Sequence, residues 1–263
     1  MIKALVLMLL AALPARAQTQ DDVLSAQLLP GWRLDNGHYM AALDLTLAPH
    51  WKTYWRSPGE AGIPPQFDWS GSQNVASVAL HWPSPSVFTL NGLQSIGYMD
   101  ALILPVEVTP RDPALPVTLS LHLQLGICKD ICMPAAVALT MALDGGTGSD
   151  RRIAAALQNQ PMTGQAAGLT GITCALAPIA DGMHIMASLN LPQQGSPETV
   201  AVEVADPLVW VATASASRDG PVLSAATDLV PDKGAPFVLD RSRLTITVIG
   251  QGHSVEIKGC PAP

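Results

Sequence analysis

Two cysteines separated by three residues, Cys128-Lys129-Asp130-Ile131-Cys132, are the place in this 263-residue chain where side-chain types and spacing spell reactive chemistry. Thiols this close can form a small disulfide. A disulfide that opens and closes exchanges electrons with other thiols: a thiolate attacks one sulfur, a mixed disulfide forms, and the neighbouring thiol resolves it. Lys129 favours the thiolate and Asp130 opposes it. Two other readings use the same atoms. One is a purely structural hairpin disulfide. The other is Cu(I) held by the soft sulfurs of Cys128, Cys132 and Met133, with His122 upstream, although the nine methionines form no cluster.

The elements that must position the pair are strands. Val117-Thr-Leu119-Ser-Leu121-His-Leu123-Gln-Leu125 alternates apolar with polar, and Val137-Ala-Leu139-Thr-Met141-Ala-Leu143 repeats the period. That two-residue period belongs to a strand with one face buried and one wet. Two such strands predict a hairpin with residues 126–134 as its connection and both thiols at the turn.

Compartment decides whether such thiols are oxidised. A short positive start at Lys3, an apolar stretch from Ala4 to Leu13 too short to span a bilayer, and Ala15-Arg16-Ala17 predict a signal peptide over 1–17, with the mature chain exported. Four cysteines allow three pairings, and position favours Cys128 with Cys132 and Cys174 with Cys260. Closing the long loop should stabilise by roughly 4 to 5 kcal/mol and the short one by about 2. The long bridge therefore reads as structural, and the short one is free for chemistry.

Composition predicts an all-β chain: 23 prolines and 21 glycines divide short alternating runs. Residues 18–144 read as a β-sandwich, 145–162 as a linker with one short helix over 151–159 behind the candidate cap Ser149-Asp150, and 163–263 as a second small β domain. Five of the six tryptophans fall in the first segment. Net charge of −7, with only 14 Lys and Arg, excludes a nucleic-acid partner. No later segment is apolar enough to insert in a membrane. There is no G-x-S-x-G, H-E-x-x-H, phosphate loop or zinc spacing, and no cofactor is expected. A binding module that takes a protein or carbohydrate ligand on exposed tryptophans is the reading from a different class.

The order His50-Trp51-Lys52-Thr53-Tyr54-Trp55-Arg56-Ser57-Pro58-Gly59, then Pro64-Pro65-Gln66-Phe67-Asp68-Trp69, Trp82-Pro83, Gly97-Tyr98, Leu104-Pro105-Val106 and Cys128 to Pro134 resembles the N-terminal periplasmic domain of DsbD-type thiol:disulfide interchange proteins, and most of all the ScsB-like subgroup linked to copper tolerance. The resemblance implies an immunoglobulin-like sandwich in the periplasm. It also implies a protein-disulfide reductase activity that passes electrons from a membrane-embedded reductase to thioredoxin-fold partners, the relay that serves cytochrome c biogenesis in such systems. Cys132 would be the exchanging thiol and Cys128 the resolving one. A cap loop over residues 83–92 would shield the disulfide with Phe88, and Tyr54 and Trp51 would pack beside the pair. The family continues into a multi-helix membrane domain, whereas this sequence ends at Pro263, which leaves two expectations: a free-standing relay fed by a separate membrane reductase, or a module without the electron-transfer role that acts in binding or assembly.

Overall fold

The computed structural model describes residues 19–90, 92–146, 148–232 and 237–263; the expected leader lies outside them. Strands form four sheets packed as two sandwiches. In the first, β1 (Leu24–Arg33), β2 (Tyr39–Leu47), β8 (Ala101–Pro110) and β5 (Val75–Leu80) make one sheet in the order β1-β2-β8-β5. The facing sheet runs β10-β9-β3-β7-β6, from β3 (Lys52–Tyr54), β6 (Ser86–Leu90), β7 (Leu93–Met99), β9 (Val117–Cys128) and β10 (Cys132–Leu143), with β4 (Gln66–Asp68) also paired to β9. Leu43, Leu45, Leu102 and Leu104 of one sheet meet Leu121, Leu123, Leu125, Ile127, Ile96 and Tyr98 of the other in a continuous core. This is an all-β, immunoglobulin-like fold.

The predicted hairpin is present but longer than its alternation. β9 and β10 pair in unbroken register from Val117↔Leu143 to Cys128↔Cys132, so the connection shrinks from the expected 126–134 to Lys129, Asp130 and Ile131. Pro134 is accommodated because β10 is the edge of its sheet and needs no outward N–H.

Helix α1 (Gln20–Val23) precedes β1, and α2 (Arg151–Gln158) follows β10, with the Asp150 carboxylate capping it through the Arg152 amide. Ile153 of α2 is buried against Leu29, Met40 and Ala42, on the outer face of the first sheet. The expected linker is therefore packed onto the first sandwich.

The second sandwich pairs a sheet β11-β19-β18-β14 with a sheet β12-β13-β17-β15, with β16 also on β17. Its strands are β11 (Met162–Thr163), β12 (Gly171–Ile179), β13 (Gly182–Asn190), β14 (Thr199–Glu203), β15 (Val209–Val211), β16 (Ser215–Asp219), β17 (Val222–Pro231), β18 (Thr245–Ile249) and β19 (Ser254–Lys258). Cys174 on β12 is bonded to Cys260 after β19, both at most 1% exposed inside the second core. Among the described residues no helix is long and apolar enough to cross a membrane.

Candidate functional site

Cys128 and Cys132 face each other across the last rung of the β9–β10 hairpin and are joined, Cα to Cα 4.1 Å. They differ in exposure. Cys128 is 1% exposed, whereas Cys132 and the turn residues Lys129, Asp130 and Ile131 are open to solvent. One residue of the bond lies at the surface and the other is enclosed.

Cys128 owes its burial to β3, which lies against β9 with Lys52 opposite Cys128 and Thr53 opposite Ile127. Successive side chains alternate faces. Thr53 points inward, and its hydroxyl donates to the Gly126 carbonyl at 3.0 Å. Lys52 and Tyr54 point outward, onto the face that carries Cys128. The Tyr54 ring lies over Gly126: a Cβ there would sit 2.9 Å from Tyr54 Cε2 and 2.8 Å from Ile63 Cβ. Glycine thus leaves the space through which the phenol reaches the disulfide. Its hydroxyl donates to Cys128 Sγ at 2.7 Å and lies 3.4 Å from Cys132 Sγ. Burial pushes the Tyr54 phenol above its ordinary value, so the donor keeps its proton. The outer face of β9 is covered from Gly126 onward, which is why its alternation of buried and exposed residues stops at Leu125.

The stretch expected as a cap loop is for the most part a strand. Its base is pinned: Tyr98 Oη donates to the Pro83 carbonyl at 2.7 Å, and the Ser84 amide to the Asn159 carbonyl at 2.6 Å. From Ser86 it runs as β6, paired to β7 with Phe88 opposite Ser95. The half-buried Phe88 ring has the Lys52 ammonium 5.2 Å from its centroid. Lys52 Nζ also donates to Ser95 Oγ at 2.9 Å, and burial lowers its pKa.

Other candidates lie elsewhere. Trp51 is buried in the first core, 3% exposed, and serves packing there. Met133 follows Cys132 on the opposite face of β10 and packs against the same core, so the three sulfurs expected for Cu(I) do not converge. Of the six tryptophans only Trp210, in the second sandwich, is exposed; Trp32 and Trp69 of the first are half-buried.

Lys52, Gly126 and Ile63 were not singled out in the sequence, although Lys52 lies two residues before Tyr54 and the strand period places both on one face. Arg56 was missed as well. Its guanidinium donates to both carboxylate oxygens of Glu203 at 2.8 and 2.9 Å and to Glu256 at 2.6 Å, and stacks 4.4 Å from the Trp55 ring centroid. This fork ties the second sandwich to the chain two residues beyond Tyr54.

The arrangement can perform thiol–disulfide exchange: an accessible sulfur, a sheltered one, and a hydroxyl placed to stabilise charge on the sheltered sulfur. The comparisons agree. Residues 20–143 match the family described as thiol:disulfide interchange protein DsbD, N-terminal. The fold is similar to the crystal structure of the N-terminal periplasmic domain of ScsB from Proteus mirabilis, with a TM-score of 0.69 and 23% identity over 94% of this chain and 96% of that one. No curated protein matches. The match identifies the segment 20–143, the first sandwich, as a domain of the DsbD N-terminal type.

Proposed function

We propose that the chain is a periplasmic relay that passes reducing equivalents from a membrane-embedded reductase to thioredoxin-fold partners through the Cys128/Cys132 pair. The observation that carries this reading is the asymmetry of the bond: Cys132 exposed, Cys128 1% exposed with the Tyr54 hydroxyl 2.7 Å from its sulfur. Segment 18–144 would hold the exchange site, and segment 163–263 would be a second module attached through Arg56.

A thiolate of the reduced reductase attacks Cys132 Sγ. The S–S bond breaks and its electron pair leaves on Cys128 Sγ, where the Tyr54 hydrogen bond stabilises the thiolate until it takes a proton from water. The reductase's second thiolate then attacks its own mixed-disulfide sulfur and expels the Cys132 thiolate, so the reductase leaves oxidised and this chain holds two thiols. Discharge runs in reverse order. Cys132 thiolate attacks the partner's disulfide, Cys128 thiolate attacks Cys132 Sγ, and the partner departs as a dithiol. Exposed Ile63, Met99 and Ile131 around the pair supply apolar surface for docking.

The test is trapping. Cys128→Ala should leave Cys132 able to form a mixed disulfide with a thioredoxin-fold protein that persists on a non-reducing gel, and Cys132→Ala should form none. The wild-type pair should also be reduced at poises above about −300 mV. A pair that stays oxidised below that poise and traps no partner is a structural disulfide, and the proposal falls.

A further inference from the structure

We propose that the cleft between the two sandwiches is a strand-addition site, in which an extended polypeptide segment, apolar at its centre and flanked by lysine or arginine, pairs with the outer edge of β14 through Val200 and Val202. The inference stands apart from the exchange reading of the Cys128/Cys132 pair.

β14 is the edge of its sheet and pairs there with β18. Hydrogen-bonded and non-hydrogen-bonded residues alternate along an antiparallel pair. The Gly250 amide donates to the His253 carbonyl and the Gly259 amide to the Leu244 carbonyl, so the even-numbered residues of β18 bond to β19 and Thr245, Thr247 and Ile249 bond to β14. Their partners are Glu203, Ala201 and Thr199. Val200 and Val202 therefore turn their amides and carbonyls away from the sheet, although these residues are only 2% and 5% exposed. Among the described residues no other backbone group bonds to them. Enclosed backbone groups need partners, and an added strand presents an N–H and a C=O at the matching spacing.

Val200 and Val202 line a cavity of about 270 Å³ together with residues 57–60 of the first sandwich and 210–214 of the second. Thr213 Oγ1, on the same wall, is buried without a partner. The cavity adjoins a wider cleft of about 880 Å³, and the exposed Trp210 borders both. With Ile96 it offers apolar surface to the centre of a bound segment. Glu60 and Asp206 border the two spaces, are exposed, and join no ion pair among the described residues. Arg56, the cation on these walls, is already held by Glu203 and Glu256. The uncompensated charge is negative, so the occupant's is positive. The segment 57–64 also sets Ile63 against Gly126 and Tyr54, so the cleft and the disulfide share a wall.

The experiment titrates the full-length protein with the synthetic peptide acetyl-Lys-Val-Thr-Val-Lys-amide, read by tryptophan fluorescence, to which Trp210 responds, and by amide hydrogen exchange in NMR spectra. Binding should saturate below about 1 mM. Exchange at Val200 and Val202 should slow about tenfold, whereas Ala201 and Glu203, already bonded to β18, should change little. The same peptide N-methylated throughout its Val-Thr-Val core, and the peptide with glutamate in place of lysine, should each bind at least about tenfold more weakly. Absence of binding, equal binding of the N-methylated peptide, or protection confined to other amides overturns strand addition. Equal binding of the glutamate peptide overturns the basic occupant. Val200 and Val202 amides already protected in the free protein, with a dimer on sedimentation, would give the edge to a second copy and overturn the proposal.

Discussion

The chain carries two disulfides of opposite construction. Cys174–Cys260 joins residues 86 apart in sequence, with both sulfurs inside the second core. Its surroundings are fixed by the backbone: the Cys174 amide donates to the Pro261 carbonyl at 2.7 Å, the Cys260 amide to the Arg241 carbonyl at 3.0 Å, and the Arg241 guanidinium to the Cys174 carbonyl. Cys128–Cys132 joins residues 4 apart, at the tip of a hairpin whose register is already set by the ladder behind it. One bond restricts the unfolded chain over a long loop. The other restricts only a short loop, and carries an exposed cysteine and a hydroxyl donor instead. Burial and loop length set a bond built to hold a fold apart from the bond proposed to react.

That contrast is easiest to break by removing each bond. Replacing Cys174 and Cys260 with alanine should cost about 4 to 5 kcal/mol in urea unfolding, against about 2 for replacing Cys128 and Cys132. Equal losses would mean that the hairpin bond is structural after all.

Tyr54→Phe sharpens the reactive side of the comparison. Losing one hydrogen bond to a developing thiolate should slow the attack on Cys132 about tenfold, with little change in the unfolding midpoint. Stopped-flow reduction by a dithiol reads the first quantity and thermal melting the second. An unchanged rate would confine Tyr54 to packing.

The smallest effect concerns the first sandwich away from both bonds. Glu107 accepts from His38 Nδ1 at 2.6 Å and from His81 Nε2 at 3.0 Å, and the His38 hydrogen bond holds its carboxyl below the ordinary 4.5. A carboxyl with a depressed folded pKa stabilises the fold above its unfolded value, and that contribution is lost as pH falls through the folded one. Glu107→Gln should therefore flatten the decline of stability below about pH 4.5 and leave glutathione reactivity at neutral pH unchanged. Urea midpoints across the acid range test it, and a parallel decline in both proteins would contradict it.

Much of this was legible in the residues. The alternation from Val117 to Leu125 identified β9, and the cysteine arithmetic identified both pairs. The turn expected over 126–134 is too long because apolar–polar alternation stops at Leu125 and resumes only at Val137, while the strands run on through Gly126 and Pro134. Gly126 is there for Tyr54 and Ile63, and Pro134 sits on an edge, so neither ends its strand. The cap loop over 83–92 is an expectation of the family resemblance, and the structure differs because β6 from Ser86 to Leu90 is another edge strand. The tie from Arg56 to Glu203 and Glu256 spans 147 and 200 residues and leaves no local signature.

The ladder of β9 and β10 also bears on how easily the pair cycles. Thermodynamic linkage is reciprocal: whatever a bond contributes to folding, folding returns to the bond as resistance to reduction. The gap of about 2.5 kcal/mol between the two loop closures corresponds to roughly 50 mV between the two couples, from chain entropy alone. Because the β9–β10 ladder runs unbroken behind the bond, the exchange proposed for this pair would leave the rest of the sandwich paired through each cycle of reduction and reoxidation.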